Sequence, residues 1–239
     1  MTDARAATRT IARPGDATPD VGDELRRWPA TGIDGVWLPC RVTADGVVVV
    51  SPRDRIGSRW RSRRLETVDL ADLPDGVPDL ASTLAELVPR RAEVVVACGG
   101  PDVAAVVDTV RGVVPEAEER IWLIGPDLNQ LIEWAPRCGL RLISRAASIR
   151  GLDERAEPRA ARLRSTGIRG LALPHREWGG GLVALAHRFE LAAVALDPVH
   201  EREMAAVIGA GVDLVVSDQP DRLQAVAVEF GLPSGRTDG

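Results

Sequence analysis

The stretch Ala210-Gly211-Val212-Asp213-Leu214-Val215-Val216-Ser217-Asp218-Gln219-Pro220-Asp221-Arg222-Leu223 decides how the rest of this chain is read. An apolar, β-branched run ends in a Ser-Asp pair, and Pro220 then opens an apolar-periodic segment from Leu223 to Phe230. Proline suits the first turn of a helix, where its missing N–H is not needed. The order is therefore strand, tight turn, helix, and such a unit near the end of a chain predicts the closing strand of a β/α barrel.

Upstream the same alternation recurs. Strands are predicted at Glu93 to Cys98, Arg120 to Ile124, Arg141 to Ser144, Gly170 to Leu173 and Leu191 to Leu196. Helices between and after them are predicted at Asp102 to Val113, Pro126 to Arg137, Pro158 to Ser165, Gly181 to Phe189, His200 to Ile208 and Pro220 to Phe230. Earlier, Arg9 to Gly15 is a short extended run, Asp20 to Trp28 a short helix, and Gly35 to Val42 a buried strand. Asp45-Gly46 turns the chain back along Val47 to Val50. Ser51 to Pro78 reads as a long loop, and Pro78-Asp79-Leu80 starts a helix that runs to Val88. With the two early strands this makes about eight βα units, and continuous apolar strands alternating with helices indicate a parallel sheet covered by helices. The expected architecture is a single-domain (β/α)8 TIM barrel over residues 9–231, with disordered termini at 1–8 and 232–239. A doubly wound sheet is the alternative, but its Gly-rich dinucleotide fingerprint is missing. Gly179-Gly180-Gly181 reads as a flexible loop before a helix rather than a phosphate cradle.

The chain has 239 residues, enough for one such barrel. Hydrophobic residues make up 45% but aromatics only 3%, so Val, Ala and Leu must form most of the core. Every one of the 30 basic residues is Arg, which removes any role that needs an amine. A net charge of -5 gives no overall pull toward nucleic acid or an anionic membrane. Cys40, Cys98 and Cys138 have no metal-ligand spacing and are expected to be buried free thiols, which suits a reducing cytoplasm. No apolar run reaches membrane-spanning length, so a cytoplasmic protein without a membrane span is expected.

Several segments lie in the order found in the glycerophosphodiester phosphodiesterase family, whose pattern this chain resembles over nearly its whole length. Ile11-Ala12-Arg13-Pro14-Gly15 stands where the family has a small residue, His, Arg and Gly. Gly35-Val36-Trp37-Leu38-Pro39-Cys40-Arg41-Val42-Thr43-Ala44-Asp45-Gly46 stands where it has Gly, apolar, Glu, apolar, Asp, Val, two residues, Thr, one residue and Asp-Gly. Val49-Val50-Ser51-Pro52-Arg53 falls where two apolar residues lead into His-Asp. Val77-Pro78-Asp79-Leu80 matches the start of the second helix, and Val212 to Leu223 the last strand. The resemblance implies a barrel of the PLC-like phosphodiesterase type that hydrolyses a glycerophosphodiester to glycerol 3-phosphate and an alcohol. It also implies two His as acid and base and a divalent cation held by carboxylates of the second and third strands.

Position by position, the chemistry does not carry over. The first His corresponds to Arg13, the Glu and Asp to Trp37 and Pro39, and the His-Asp to Pro52-Arg53. On the third strand Val96-Ala97-Cys98-Gly99 offers no carboxylate. Trp and Pro cannot hold a hard cation, and Arg, always protonated, is no general base. The expectation is a pseudoenzyme that has lost phosphodiesterase catalysis and its cation site. It would bind a phosphorylated small molecule or a protein partner through Arg13, Trp37, Arg53 and Arg55. Guanidinium groups there hold phosphate bidentately without hydrolysing it. The Arg-rich run from Arg53 to Arg64, which includes Arg59, Trp60 and Arg61, motivates that reading, while a nucleic-acid partner is not expected. The alternative is an active phosphodiesterase rebuilt from His175, Asp197, His200 and Asp218, all expected on the rim where βα loops gather. Of these, His200 is expected to start a helix and Asp218 to cap one, with the same ambiguity for Asp197, while His187 falls inside a helix. A third class is an interaction protein that uses the outside of the barrel, for example as a homodimer.

Overall fold

The computed structural model describes residues 7–15, 20–57, 62–99, 102–114, 120–125, 127–149 and 155–233. Its strands are β1 (Arg9–Ala12), β2 (Gly35–Val42), β3 (Val48–Val50), β4 (Arg55–Ile56), β5 (Arg63–Arg64) and β6 (Glu93–Ala97). They continue with β7 (Ile121–Gly125), β8 (Arg141–Arg145), β9 (Gly170–Pro174), β10 (Ala192–Leu196) and β11 (Leu214–Ser217). The helices are α1 (Val21–Arg27), α2 (Leu80–Leu87), α3 (Asp102–Val113), α4 (Leu128–Cys138), α5 (Ala156–Ser165), α6 (Gly180–Arg188), α7 (Glu201–Ala210) and α8 (Pro220–Glu229).

Strand β1 pairs in parallel with β11, Arg9 opposite Leu214 through Ala12 opposite Ser217, and also with β2. That double pairing closes β1, β2 and β6 to β11 into an eight-stranded parallel barrel with helices between the strands. Strand β11 is the closing strand expected of it. Strand β3 returns antiparallel along β2 through a turn in which Gly46 adopts φ 82°.

The pleat sorts side chains into two cores. Alternate residues Ile11, Trp37, Val95, Ile124, Ile143, Val194 and Val216 fill the barrel interior. The residues between them, such as Val36, Val94, Leu123 and Val215, pack outward against the helices. Full burial of each large apolar side chain stabilises the fold by roughly 1.5–3 kcal/mol. The three cysteines are buried and unpaired.

Two sequence expectations need adjustment. Within the expected loop from Ser51 to Pro78, β4 and β5 form an antiparallel ribbon, followed by short 3-10 turns at Leu65–Thr67 and Leu70–Asp72. Leu65 and Val68 are buried there, and the Val68 carbonyl accepts from the Ala44 N–H. These apolar anchors are too far apart in sequence to show periodicity. Helix α5 begins two residues before Pro158, which the first helical turn tolerates because its N–H would have no partner there. Thr8 donates its hydroxyl to the Val212 carbonyl, and Leu232 packs on the outer core. Arg59, Trp60 and Arg61 of the Arg-rich run lie outside the described residues, as do residues 1–6 and 234–239 of the termini.

Candidate functional site

Parallel strands end together, so the residues that continue their inward register form one rim at the carboxy-terminal end of the barrel. On β1 the inward positions are Arg9, Ile11 and Arg13; on β2 they are Trp37, Pro39 and Arg41; on β8 they are Arg141, Ile143 and Arg145. This places Arg13, Arg41 and Arg145 at the same end. All three line a cavity of about 350 Å³ whose walls include Trp37, Pro39, Pro52, Ala97 and Cys98, and no carboxylate or His is among its described lining residues.

Arg13 also reaches the neighbouring strands. Its Nη1 lies 2.6 Å from Asp197 Oδ1 and its Nη2 3.9 Å from Asp218 Oδ2. Its Nε is buried and has no hydrogen-bond partner among the described residues. Asp197 follows β10 with φ 61°, a left-handed conformation uncommon outside glycine. It is held there by its N–H bonding to the Val216 carbonyl and by Pro198 after it. The expected capping role of Asp218 is not what is found. Ser217 Oγ accepts from the Gln219 N–H and donates to the Pro198 carbonyl, so the hydroxyl organises the turn. The Asp218 carboxylate accepts from the Gln219 amide and faces Arg13.

The two rim histidines sit elsewhere. His200 is the exposed residue before α7, the helix start expected of it, and the Glu203 carboxylate accepts from its N–H and from that of Val199. These bonds hold the Glu203 carboxyl below the usual carboxylate range. His175, after β9, places Nε2 3.8 Å from Glu203 Oε2. Among the described residues no ion pair or hydrogen bond joins either His to Asp197 or Asp218. The four residues proposed for a rebuilt site thus form an Arg13-centred acidic pair and a separate Glu203-centred His pair. His187 is on the last turn of α6, with Nε2 2.7 Å from Asp213 Oδ2 at the opposite end of the barrel.

Arg53 and Arg55, expected to hold a ligand together with Arg13 and Trp37, are not among the described residues that line this cavity. The Arg55 guanidinium bonds Ser62 across the ribbon, from Nε to Oγ at 2.8 Å and from Nη2 to the carbonyl at 3.0 Å. Arg41 and Arg145 line the cavity with Arg13. Both were legible as strand residues two and four positions beyond inward-facing neighbours, a period-2 signal hidden by attention to the denser Arg run. Cys98 cannot serve as a nucleophile near neutral pH, since burial, with Asp102 nearby, pushes its thiol up to about 12.

No family model matches the sequence, and a comparison with curated proteins finds no match. Solved structures do match. A protein from Silicibacter pomeroyi assigned as a glycerophosphoryl diester phosphodiesterase superposes with TM-score 0.81 at 19% identity, covering 95% of each chain. The chain has the fold of the glycerophosphodiester phosphodiesterases. A glycerophosphodiester phosphodiesterase from Parabacteroides distasonis matches with TM-score 0.75 at 16% identity, over 95% of this chain and 99% of that one. An Oleispira antarctica phosphodiesterase, solved in complex with the product sn-glycerol-3-phosphate, matches with TM-score 0.75 at 16% identity over 93% and 97%. The described residues at the corresponding positions do not fit the divalent cation that the family resemblance implies. Trp37, Pro39 and Ala97 supply no oxygen ligand from their side chains, and Asp197 and Asp218 face a guanidinium. Among the described residues no group of three His, Cys, Asp or Glu side chains could hold a metal ion.

Proposed function

We propose that the carboxy-terminal cavity binds a phosphorylated small molecule without hydrolysing it. The observation that carries this reading is the convergence of Arg13, Arg41 and Arg145, from three different strands, on a cavity whose described lining residues include no carboxylate. Guanidinium groups pair with phosphate oxygens in a fixed planar geometry, and the unpartnered Nε of Arg13 leaves a donor to be satisfied. A volume of about 350 Å³ suits a ligand the size of glycerol 3-phosphate. Hydrolysis would need a base, an acid and stabilisation of the charge growing on the phosphoryl oxygens. The guanidinium groups could supply the third, but no described side chain lining the cavity can exchange a proton near neutral pH. In this reading the protein is a pseudoenzyme without a divalent-cation site, and its three buried thiols favour a reducing cytoplasm.

Two measurements on purified protein test the proposal. Calorimetric titration with glycerol 3-phosphate is expected to show saturable binding, weakened about tenfold or more in Arg145→Ala, the loss of a charge-assisted hydrogen bond. Incubation with glycerophosphocholine is expected to give no turnover with or without Mg²⁺ or Ca²⁺. Absence of binding would refute the ligand, and metal-dependent turnover would refute the loss of catalysis.

A further inference from the structure

The opposite end of the barrel holds a second, larger cavity of about 780 Å³, lined at the strand starts by Arg9, Glu93, Trp122, Arg141 and Arg169. It has no part in the function proposed above. Its charges are unevenly paired. Glu93, only 3% exposed, has both oxygens engaged, one by the Arg9 guanidinium and the other by the Trp122 Nε1–H at 2.9 Å. Asp213 accepts from the Ala193 N–H and contacts His187, and Glu190 pairs with Arg164. The described acidic groups that line the cavity therefore already have partners.

Two guanidinium groups have no acidic partner among the described residues. Arg141, opposite Trp122 in the β7–β8 ladder, lies over the indole ring at 4.6 Å and forms no ion pair among the described residues. Arg169, one strand further, has no side-chain partner among them, while its backbone is fixed by bonds to the Leu142 carbonyl and from the Ala192 N–H. Stacking on Trp122 restricts Arg141, so less freedom is lost when its N–H fork meets an oxyanion. We infer that this amino-terminal cavity is a binding site for a small organic anion, held through a carboxylate or phosphate group by Arg141 and Arg169. The volume accommodates a metabolite-sized molecule, and the indole edge supplies an apolar wall.

The test is calorimetric titration of the full-length protein with citrate and, separately, with inorganic phosphate. The wild type is compared with Arg141→Gln/Arg169→Gln, Arg169→Gln alone and Arg145→Gln. A saturable citrate component is expected that weakens about tenfold or more in the double variant and measurably in Arg169→Gln, whereas any component lost in Arg145→Gln belongs to the carboxy-terminal cavity. Arg169 is exposed and lacks a side-chain partner, so its variant keeps the test decisive if the double variant does not fold. No saturable binding to either probe, or binding that falls only in Arg145→Gln, would overturn the inference. The second outcome would assign the anion to the carboxy-terminal cavity instead, so the two readings fail separately.

Discussion

Asp34, just before β2, shows how one side chain fastens the barrel closure. Its Oδ2 accepts from the Thr10 N–H at 2.7 Å and the Thr10 hydroxyl at 2.9 Å, tying the loop to β1. Burial pushes the Asp34 carboxyl above the ordinary carboxylate range, against the opposing pull of the Thr10 bonds. The native state therefore holds this proton more tightly than the unfolded chain does. The contribution of Asp34 to stability is greatest below the unfolded pKa and falls as pH rises through the raised folded value. Asp34→Asn keeps an acceptor for both donors and is expected to flatten that part of the profile, read by urea unfolding between about pH 4 and 7. Asp34→Ala leaves the Thr10 N–H without its side-chain acceptor and is expected to cost about 1–3 kcal/mol. Equal pH slopes in wild type and Asp34→Asn would contradict this account.

At the scale of elements, the tightest constraint is where β2 meets β6. A methyl group on Gly35 would lie 2.2 Å from the Glu93 carbonyl oxygen, which is backbone and cannot rotate away. The φ of Gly35 is not the reason for glycine here; close approach of two strands is. Gly35→Ala is expected to destabilise by about 1–3 kcal/mol or more, the range for overpacking a filled core. The same change at Gly46, where nothing lies within 4 Å but φ is 82°, is expected to cost less and through backbone strain alone. Denaturant midpoints at constant m-value would separate the two, and a smaller loss at Gly35 would refute the packing argument.

For the whole molecule, closure rests on the short strand β1, which pairs with both β11 and β2. A chain lacking the residues through Ala12 would lose Ile11 from the interior and expose two strand edges, a state prone to association. It is expected to lose cooperative unfolding and to elute as aggregate on gel filtration. A monomer with a native far-UV spectrum would show that β1 is dispensable. The closed barrel also gives the molecule two ends, each bearing unevenly paired arginines around a cavity. A net charge of -5 opposes long-range approach of anions, so binding at either end depends on close contacts.

Continuous apolar runs of Val, Ile and Leu alternating with helical segments were enough to indicate eight strands in a parallel sheet covered by helices, because burial on both faces leaves that pattern in the sequence itself. The substituted positions Arg13, Trp37, Pro39 and Pro52 were equally legible, since residue type alone rules out metal ligation. Which arginines share a cavity was not. Arg41 and Arg145 are 104 positions apart in sequence and come to line one cavity only once β2 and β8 lie on one closed ring, whereas Arg55 points to Ser62 on its own ribbon. The partition of the acidic rim residues between Arg13 and the His pair was likewise decided by tertiary structure. Ion pairs between strand ends depend on barrel stagger, and no local pattern in the chain encodes it.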